Sequence, residues 1–474
     1  MERHPFYLGG EWRTSDRGIE VVNPYTGRPV WEVSRAGEAE IEEAIGAAVS
    51  AAPRMRALHA YERAEILEAV AAGVKERREE LARAMTAETG KPISFARVEA
   101  ERTAFTFTAA AGEAKRLDGE VISLDLAPHA AGRTGILRRF PLGPIAAITP
   151  FNFPLNLVAH KLAPAIAAGN SVVLKPSSAA PRTALLLAGI IASAKLPAGA
   201  LNVLPCSSDE AGQLVSDERL RLITFTGSPV VGWDLKARAG RKRVTLELGG
   251  NAAVIVDEGI DWKGAVKRIA LGAYGHAGQS CIAVQRVMVH ASVFEPFLAE
   301  LVAVSRSTPV GDPWLEETVV GPMIDEESAA KVEGWIREAV AAGAVLHCGG
   351  TRERALMQPT VLTNVRSSMS VCANEVFAPV VTVEPFGTIA EAFSMVNDSR
   401  YGLQAGIFTN NLEHAFRAYD VLEVGGVILN DYPTFRIDHM PYGGVKESGF
   451  GREGLRYAIE EMTEPKLLVL KPGL

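Results

Sequence analysis

Two residues in this chain combine a reactive side chain with a neighbourhood suited to close approach. Cys281 closes the segment Gly275-His-Ala-Gly278-Gln-Ser-Cys281. Its two glycines allow the backbone near a ligand, and the loop is expected to open a helix whose N-terminus would favour the thiolate, the nucleophilic form. Thirty-four residues earlier, Glu247 sits inside the apolar run Val244-Thr-Leu-Glu-Leu248, directly before Gly249-Gly250. A carboxylate there is either a solvated strand-edge group or a general base whose pKa burial raises. His276, five residues before Cys281, offers instead the pairing of a cysteine hydrolase. A cysteine taken singly is more often a small core residue than a nucleophile, and Cys206, Cys348 and Cys372 read that way. With no C-x-x-C pair among the four cysteines, neither a metal site nor a disulfide framework is indicated. Reduced thiols and a cytoplasmic location are expected.

The elements that must hold these groups follow from periodicity. Ile41, Ile45 and Val49, then Ile66, Val70 and Val74, then Leu81 and Met85 recur at helical spacing, and Gly90 with Pro92 supplies the stop. From about 143 to 257 the pattern changes to short apolar runs: Ile145–Ile148, Val172–Leu174, Leu201–Leu204, Leu222–Phe225, Val244–Leu248 and Ala253–Val256. Flanked by Pro and Gly and alternating with helical stretches such as Arg182–Ser193, they read as buried parallel strands with crossover helices. This is a doubly wound α/β architecture. A second α/β set follows, with a helix around Trp335–Ala342, strands at Val380–Val383 and Val427–Leu429, and a helix near Ile389–Val396. Gly449-Phe-Gly451-Arg-Glu-Gly454 matches the dinucleotide fingerprint G-x-G-x-x-G, but Lys446-Glu447-Ser448 precede it where a buried strand is required, so a glycine-rich turn is the better reading.

At 474 residues with 47% hydrophobic and 22% charged, the chain can bury a large core over two or more lobes. With 49 Lys and Arg against 56 Asp and Glu and no long basic run, nucleic acid is not an expected partner. No stretch approaches a membrane span, and Met1–Pro5 mixes charges without an apolar segment, so no leader is expected. A small molecule is the expected partner.

Seven motifs, in order, resemble the aldehyde dehydrogenase superfamily, NAD(P)-dependent and non-phosphorylating: Pro150-Phe-Asn152-Phe-Pro154, Lys175-Pro-Ser177, Phe225-Thr-Gly227-Ser228, Leu246-Glu247-Leu-Gly-Gly250, Gly278-Gln-Ser-Cys281, Glu375-x-Phe377-x-Pro379 and Pro441-Tyr-Gly-Gly-Val-Lys446. The resemblance covers nearly the whole chain. It implies that Cys281 attacks an aldehyde carbon, that Asn152 and the Cys281 backbone N–H stabilise the oxyanion, and that Glu247 activates water against a thioester. It further implies that Lys175 holds adenosine-ribose hydroxyls, that Glu375 holds the nicotinamide ribose with Phe377 beside it, that Gly227 and Ser228 lie at the pyrophosphate, and that Pro150, Phe151 and Ser178 border the cofactor. Acyl transfer to CoA is disfavoured because Glu247 is present.

The subgroup most similar includes lactaldehyde, glyceraldehyde-3-phosphate and phosphonoacetaldehyde dehydrogenases, which directs attention to His160, Arg436 and Phe151 as substrate contacts. Phospho-aldehyde members carry further arginines at places that correspond here to Ser280 and Thr108. A small neutral or singly charged aldehyde is therefore expected, with a phosphorylated or phosphonate aldehyde as the alternative. Ser178 stands where NAD-preferring members often have a glutamate, so NAD or NADP is expected to serve, with Lys175 and Arg182 able to favour a 2′-phosphate. The resemblance divides the chain into a Rossmann-like cofactor domain (1–119 and 140–247, with 432–453 returning to it), a catalytic domain (248–431) and a small β arm (120–139 and 454–474) for a homodimer or homotetramer.

Overall fold

The computed structural model describes residues 3–471; residues 1–2 and 472–474 of the expected end segments lie outside the described residues. Two sheets organise the chain. The first has eight strands, with a parallel centre in the order Arg243–Glu247, Leu222–Thr226, Ile145–Ile148, Val172–Lys175, Leu201–Val203. Antiparallel strands close both edges: Gly449–Phe450 on one side, Phe6–Leu8 and Glu11–Arg13 on the other. From Ile145–Ile148 the chain runs outward through two strands on one side, then returns to build Leu222–Thr226 on the other. That reversal opens a crevice at the carboxyl ends of the two neighbouring strands, the place where doubly wound sheets bind ligands.

The strands read as uninterrupted apolar runs because helices cover both faces of a parallel sheet. Every residue of Ile145–Ile148 and of Leu222–Thr226 is buried. The expected helical region is three helices, Glu38–Ala57, Ala60–Glu76 and Arg78–Thr89, the last ended by Gly90 at φ +66°. Ile41, Ile45, Leu67 and Val70 pack with Ile145 and Val173 in one core. Helix Asn156–Ala168 is buried on every side, so its two ionisable residues, His160 and Lys161, need partners inside the protein.

The second sheet has seven strands in the order Val345–Cys348, Thr360–Thr363, Val380–Phe386, Arg286–His290, Ala253–Val256, Gln404–Phe408, Gly426–Leu429, parallel except for the first pair. Ala253–Val256, which the run pattern groups with the preceding strands, belongs to this sheet; an isolated apolar run does not encode which sheet it joins. A three-stranded arm pairs Thr463–Leu470 with Thr134–Pro141 and that strand with Glu120–Ser123. Residues 454–462, expected in the arm, instead include helix Leu455–Glu461, whose Leu455 and Ile459 pack in the first core.

The glycine-rich turn behaves as its context predicts. Gly449 lies in an edge strand antiparallel to Leu246–Glu247, where a Cβ would meet the Leu246 carbonyl oxygen at 2.5 Å. Among the described residues no helix is long and apolar enough to cross a membrane.

Candidate active site

Adjacent strands of the first sheet deliver their C-terminal ends to one crevice. Glu247 ends its strand, Gly227-Ser228 follow the next, Pro150 to Phe153 lie beyond the third, and Lys175 ends the fourth. The second sheet faces the crevice with the segments leading into its strands: Cys281 precedes Arg286–His290, and Glu375 and Phe377 precede Val380–Phe386. The result is a cavity of about 520 Å³ lined by Pro150, Phe151, Asn152, Gly227, Ser228, Glu247, Cys281, Glu375, Phe377 and Arg436. Lys175 and Ser178 are not among its lining residues.

Glycines bring the two lobes into contact. A Cβ on Gly250 would meet the Cys281 carbonyl oxygen at 2.5 Å, so only glycine lets the end of the Glu247 strand touch the cysteine loop. The loop itself is strained: His276 and Ala277 both have φ of +54°, a region costly for residues with a Cβ and frequent at functional sites. No helix starts at Cys281. A turn leads from it to the strand Arg286–His290, so the helix-terminal field expected to favour a thiolate is absent. Burial pushes the Cys281 thiol up to about 12, opposed first by a hydrogen bond with Tyr442. Cys281 Sγ lies 3.0 Å from Tyr442 Oη.

Asn152 Nδ2 donates to the Gln279 carbonyl oxygen at 3.0 Å, and Asn152 Oδ1 accepts from the Phe153 N–H at 3.1 Å. These bonds fix the amide plane and leave Nδ2 a second hydrogen. Glu247 is buried, and neither carboxylate oxygen has a hydrogen-bond partner among the described residues. Burial, reinforced by the nearby charge of Glu453, holds its carboxyl well above the ordinary carboxylate range. The choice between a solvated strand-edge group and a buried base is thereby settled toward burial. His276 is also buried, which lowers its pKa, and packs against Phe153 with ring centroids 5.9 Å apart. The cysteine's neighbour is Tyr442.

The cofactor candidates fall into two groups. Glu375 accepts from the Gly250 N–H at 3.0 Å, and burial raises its carboxyl to about 7. Phe377, at φ +53°, meets Phe151 edge to face at 6.0 Å. Ser228 caps helix Pro229–Arg238, with Pro229 at the first helical position. Lys175 is buried with Nζ donating to the Pro176 carbonyl oxygen at 3.2 Å, while Ser178 is exposed and its hydroxyl reaches the Cys206 carbonyl oxygen at 3.5 Å. Arg182 does not join them: it lines a separate groove with Trp31 and Trp314.

The substrate candidates need correction. His160 does not line the cavity; it is buried behind it, with Nε2 2.9 Å from Asp438 Oδ1, and burial lowers its pKa so that it stays neutral. Arg436 does line the cavity, but it is not free: Nη2 pairs with Glu453 Oε2 at 3.0 Å, and its guanidinium carbon stacks 3.7 Å from the Tyr442 ring centroid. An arginine of the early helix does reach the cavity, six residues before Thr108. Thr108 is exposed, whereas Arg102, on helix Ile93–Ala114, lines the cavity and donates to Asp438 at 2.7 and 3.3 Å. Asn156 Nδ2 also donates to Asp438, at 2.9 Å. Lys161 pairs with Glu453 inside the protein.

Sequence reasoning missed Arg102, Asp438, Lys161 and Glu453, none of which carries a local signal. Tyr442 stood unremarked within a quoted motif.

A doubly wound sheet faces a second α/β sheet across a crevice that holds a cysteine, an amide and a buried carboxylate, the arrangement of a two-lobed α/β enzyme. The chain belongs to the aldehyde dehydrogenase family, whose model matches residues 12–468. It is 45% identical over 471 residues to a 3-sulfolactaldehyde dehydrogenase of Priestia aryabhattai, covering 99% of this chain and 98% of that one. It is 38% identical to a lactaldehyde dehydrogenase of Methanococcus aeolicus, over 98% and 99% of the two chains. Among solved structures, aldehyde dehydrogenase 21 of Physcomitrella patens in complex with its product succinate superposes with a TM-score of 0.97 at 45% identity, covering 99% and 98%. Glyceraldehyde-3-phosphate dehydrogenase GapN of Methanocaldococcus jannaschii, complexed with NADP, gives 0.93 at 40%, covering 96% and 100%.

Proposed function

We propose that this protein oxidises a small aldehyde bearing a single anionic group to the corresponding acid, with NAD or NADP as hydride acceptor. The observation that carries the reading is one cavity lined at once by Cys281, Asn152 and Glu247 and by the cations Arg102 and Arg436. Behind the nucleophile, Arg102, Lys161 and Arg436 form one ion-paired cluster with Asp438 and Glu453, so that within this cluster cations exceed carboxylates by one, while Lys331 and Glu375 line the cavity besides. Cavity arginines already engaged by carboxylates suit a singly charged carboxylate or sulfonate better than a phosphate dianion. Ser280 adds no cation beside the nucleophile. The 3-sulfolactaldehyde dehydrogenase name and the succinate complex among the relatives agree with such a substrate.

The chemistry follows from what each side chain can do. Cys281 Sγ adds to the carbonyl carbon, and the oxygen takes up the electron pair as a hemithioacetal oxyanion. Asn152, with the Cys281 N–H, faces that oxygen; a preorganised donor of this kind is worth about 3–4 kcal/mol. A nicotinamide supplies the hydride acceptor when bound. Glu375 is placed to accept ribose hydroxyls, and the start of the helix Pro229–Arg238, with Gly227 and Ser228 in the cavity wall, suits a pyrophosphate. Loss of hydride leaves a thioester on Cys281. Glu247, unpaired and with a raised pKa, takes a proton from water as the water attacks the acyl carbon, and the thiolate leaves with the acid as product.

Ser178, standing where NAD-preferring members often have a glutamate, puts no carboxylate of its own against a 2′-phosphate, which supports use of either cofactor. The arm supports a homodimer or homotetramer: Thr463–Leu470 is an edge strand with Leu467 to Leu470 each between 42% and 56% exposed. The deciding experiment is a panel of neutral, carboxylated, sulfonated and phosphorylated aldehydes assayed with NAD and with NADP beside Cys281→Ala. Turnover highest for singly anionic aldehydes and absent in the variant is expected; wild-type-like turnover by Cys281→Ala would sink the mechanism.

A further inference from the structure

The cysteine of this site lacks the aids that ordinarily generate a thiolate. It does not sit at a helix N-terminus, among the described residues no cation is hydrogen-bonded to its sulfur, and burial between the lobes opposes its ionisation. Among the described residues the only side chain hydrogen-bonded to Sγ is Tyr442, whose Oη is 3.0 Å away. Tyr442 is 3% exposed, and among the described residues its hydroxyl makes no other hydrogen bond. A thiol and a phenol can share a hydrogen in either direction, but once the sulfur has ionised only the phenol can donate. Tyr442 is itself held from behind: the Arg436 guanidinium lies over its ring at 3.7 Å and is anchored on the far side by Glu453 at 3.0 Å. A cation against the ring face draws electron density from the phenol and makes its O–H a better donor.

We infer that Tyr442 is a further catalytic residue, which stabilises the Cys281 thiolate by donating its phenolic hydrogen to Sγ. This rests on Cys281 as the nucleophile. The phenol keeps its proton throughout; the proton that departs on ionisation is the thiol's, released to water. Donation to a charged sulfur is stronger than donation to a neutral one, so the bond stabilises the thiolate more than the thiol.

The test is the pH dependence of Cys281 alkylation by iodoacetamide in the full-length protein, followed on the Cys281 peptide by mass spectrometry so that the other three cysteines do not contribute. Tyr442→Phe removes one hydroxyl and is expected to raise the alkylation midpoint by about one pH unit, which slows alkylation about tenfold at any pH below it. Replacing Tyr442 alone with 3-fluorotyrosine, a stronger donor of nearly the same size, is expected to lower the midpoint, and this arm decides the matter if the Phe variant does not fold. A midpoint unchanged by Tyr442→Phe, or moved in the same direction by both substitutions, overturns the inference. Failure of the nucleophile reads differently: aldehyde turnover would then persist in Cys281→Ala.

Discussion

Replacing Arg102 with methionine tests the charge of the substrate more directly than any change at the nucleophile. Arg102 donates to Asp438 at 2.7 and 3.3 Å and lines the cavity, and its side chain is 29% exposed. Removing it leaves Asp438 with two donors, Asn156 Nδ2 and His160 Nε2, each at 2.9 Å, so the aspartate is not orphaned. What changes is the local balance, which falls from three cations against two carboxylates to two against two. A hydrogen bond to a charged group is worth about 1.5–3 kcal/mol, and solvent screening of a partly exposed guanidinium keeps the effect at the lower end, about 1.5–2 kcal/mol. At about 1.4 kcal/mol per tenfold, kcat/KM for an anionic aldehyde should fall about 10- to 30-fold. For a neutral aldehyde of equal length the loss should stay within about threefold, since only the charge-dependent interaction is removed. Succinic semialdehyde and butanal, assayed by appearance of the reduced cofactor, make the pair. Equal losses on both substrates would refute the charge argument and reduce Arg102 to a structural partner of Asp438.

Asn152→Ala should lower kcat about 10²- to 10³-fold with the fold intact by circular dichroism, because the lost donor faces charge that develops only in the reaction. Glu247 must be deprotonated to act as a base and its pKa is raised, so the acid limb of kcat should lie above the ordinary carboxylate range. Glu453→Gln removes a negative charge that raises it, while Lys161 and Arg436 remain, so the limb should move to lower pH; a limb that stays in place or moves up contradicts the coupling. Gly249→Ala would set a Cβ 2.2 Å from Glu375 Oε2, and the carboxylate must turn aside. The expected readout is a higher KM for the cofactor with little change in melting temperature. Leu468→Asp, at a position 56% exposed on the arm's outer strand, should shift the particle mass toward the monomer in light scattering.

Sequence by itself determined the parts whose physics is local. Apolar runs of four or five residues mark strands buried on both faces, and the central strands of the first sheet fall where the runs place them. Ordered motifs identified the family, and the lack of a strand before Gly449-Phe-Gly451-Arg-Glu-Gly454 was enough to set that match aside.

Tertiary structure decided everything that depends on which surfaces meet. Whether Glu247 is solvated or buried cannot be read from one strand, because its burial comes from the other lobe and from the returning 432–453 segment. The polarity of the Cys281 surroundings was misjudged for the same reason: a loop sequence does not say whether a helix or a strand follows, and a strand does. His160 moved from the cavity to the packing behind it, Arg102 moved into the cavity, and Tyr442 arrived at the sulfur from 161 residues away. Arg102, Lys161 and Arg436 meet Asp438 and Glu453 only once the helix Asn156–Ala168 has been buried and its lysine and histidine have found their carboxylates.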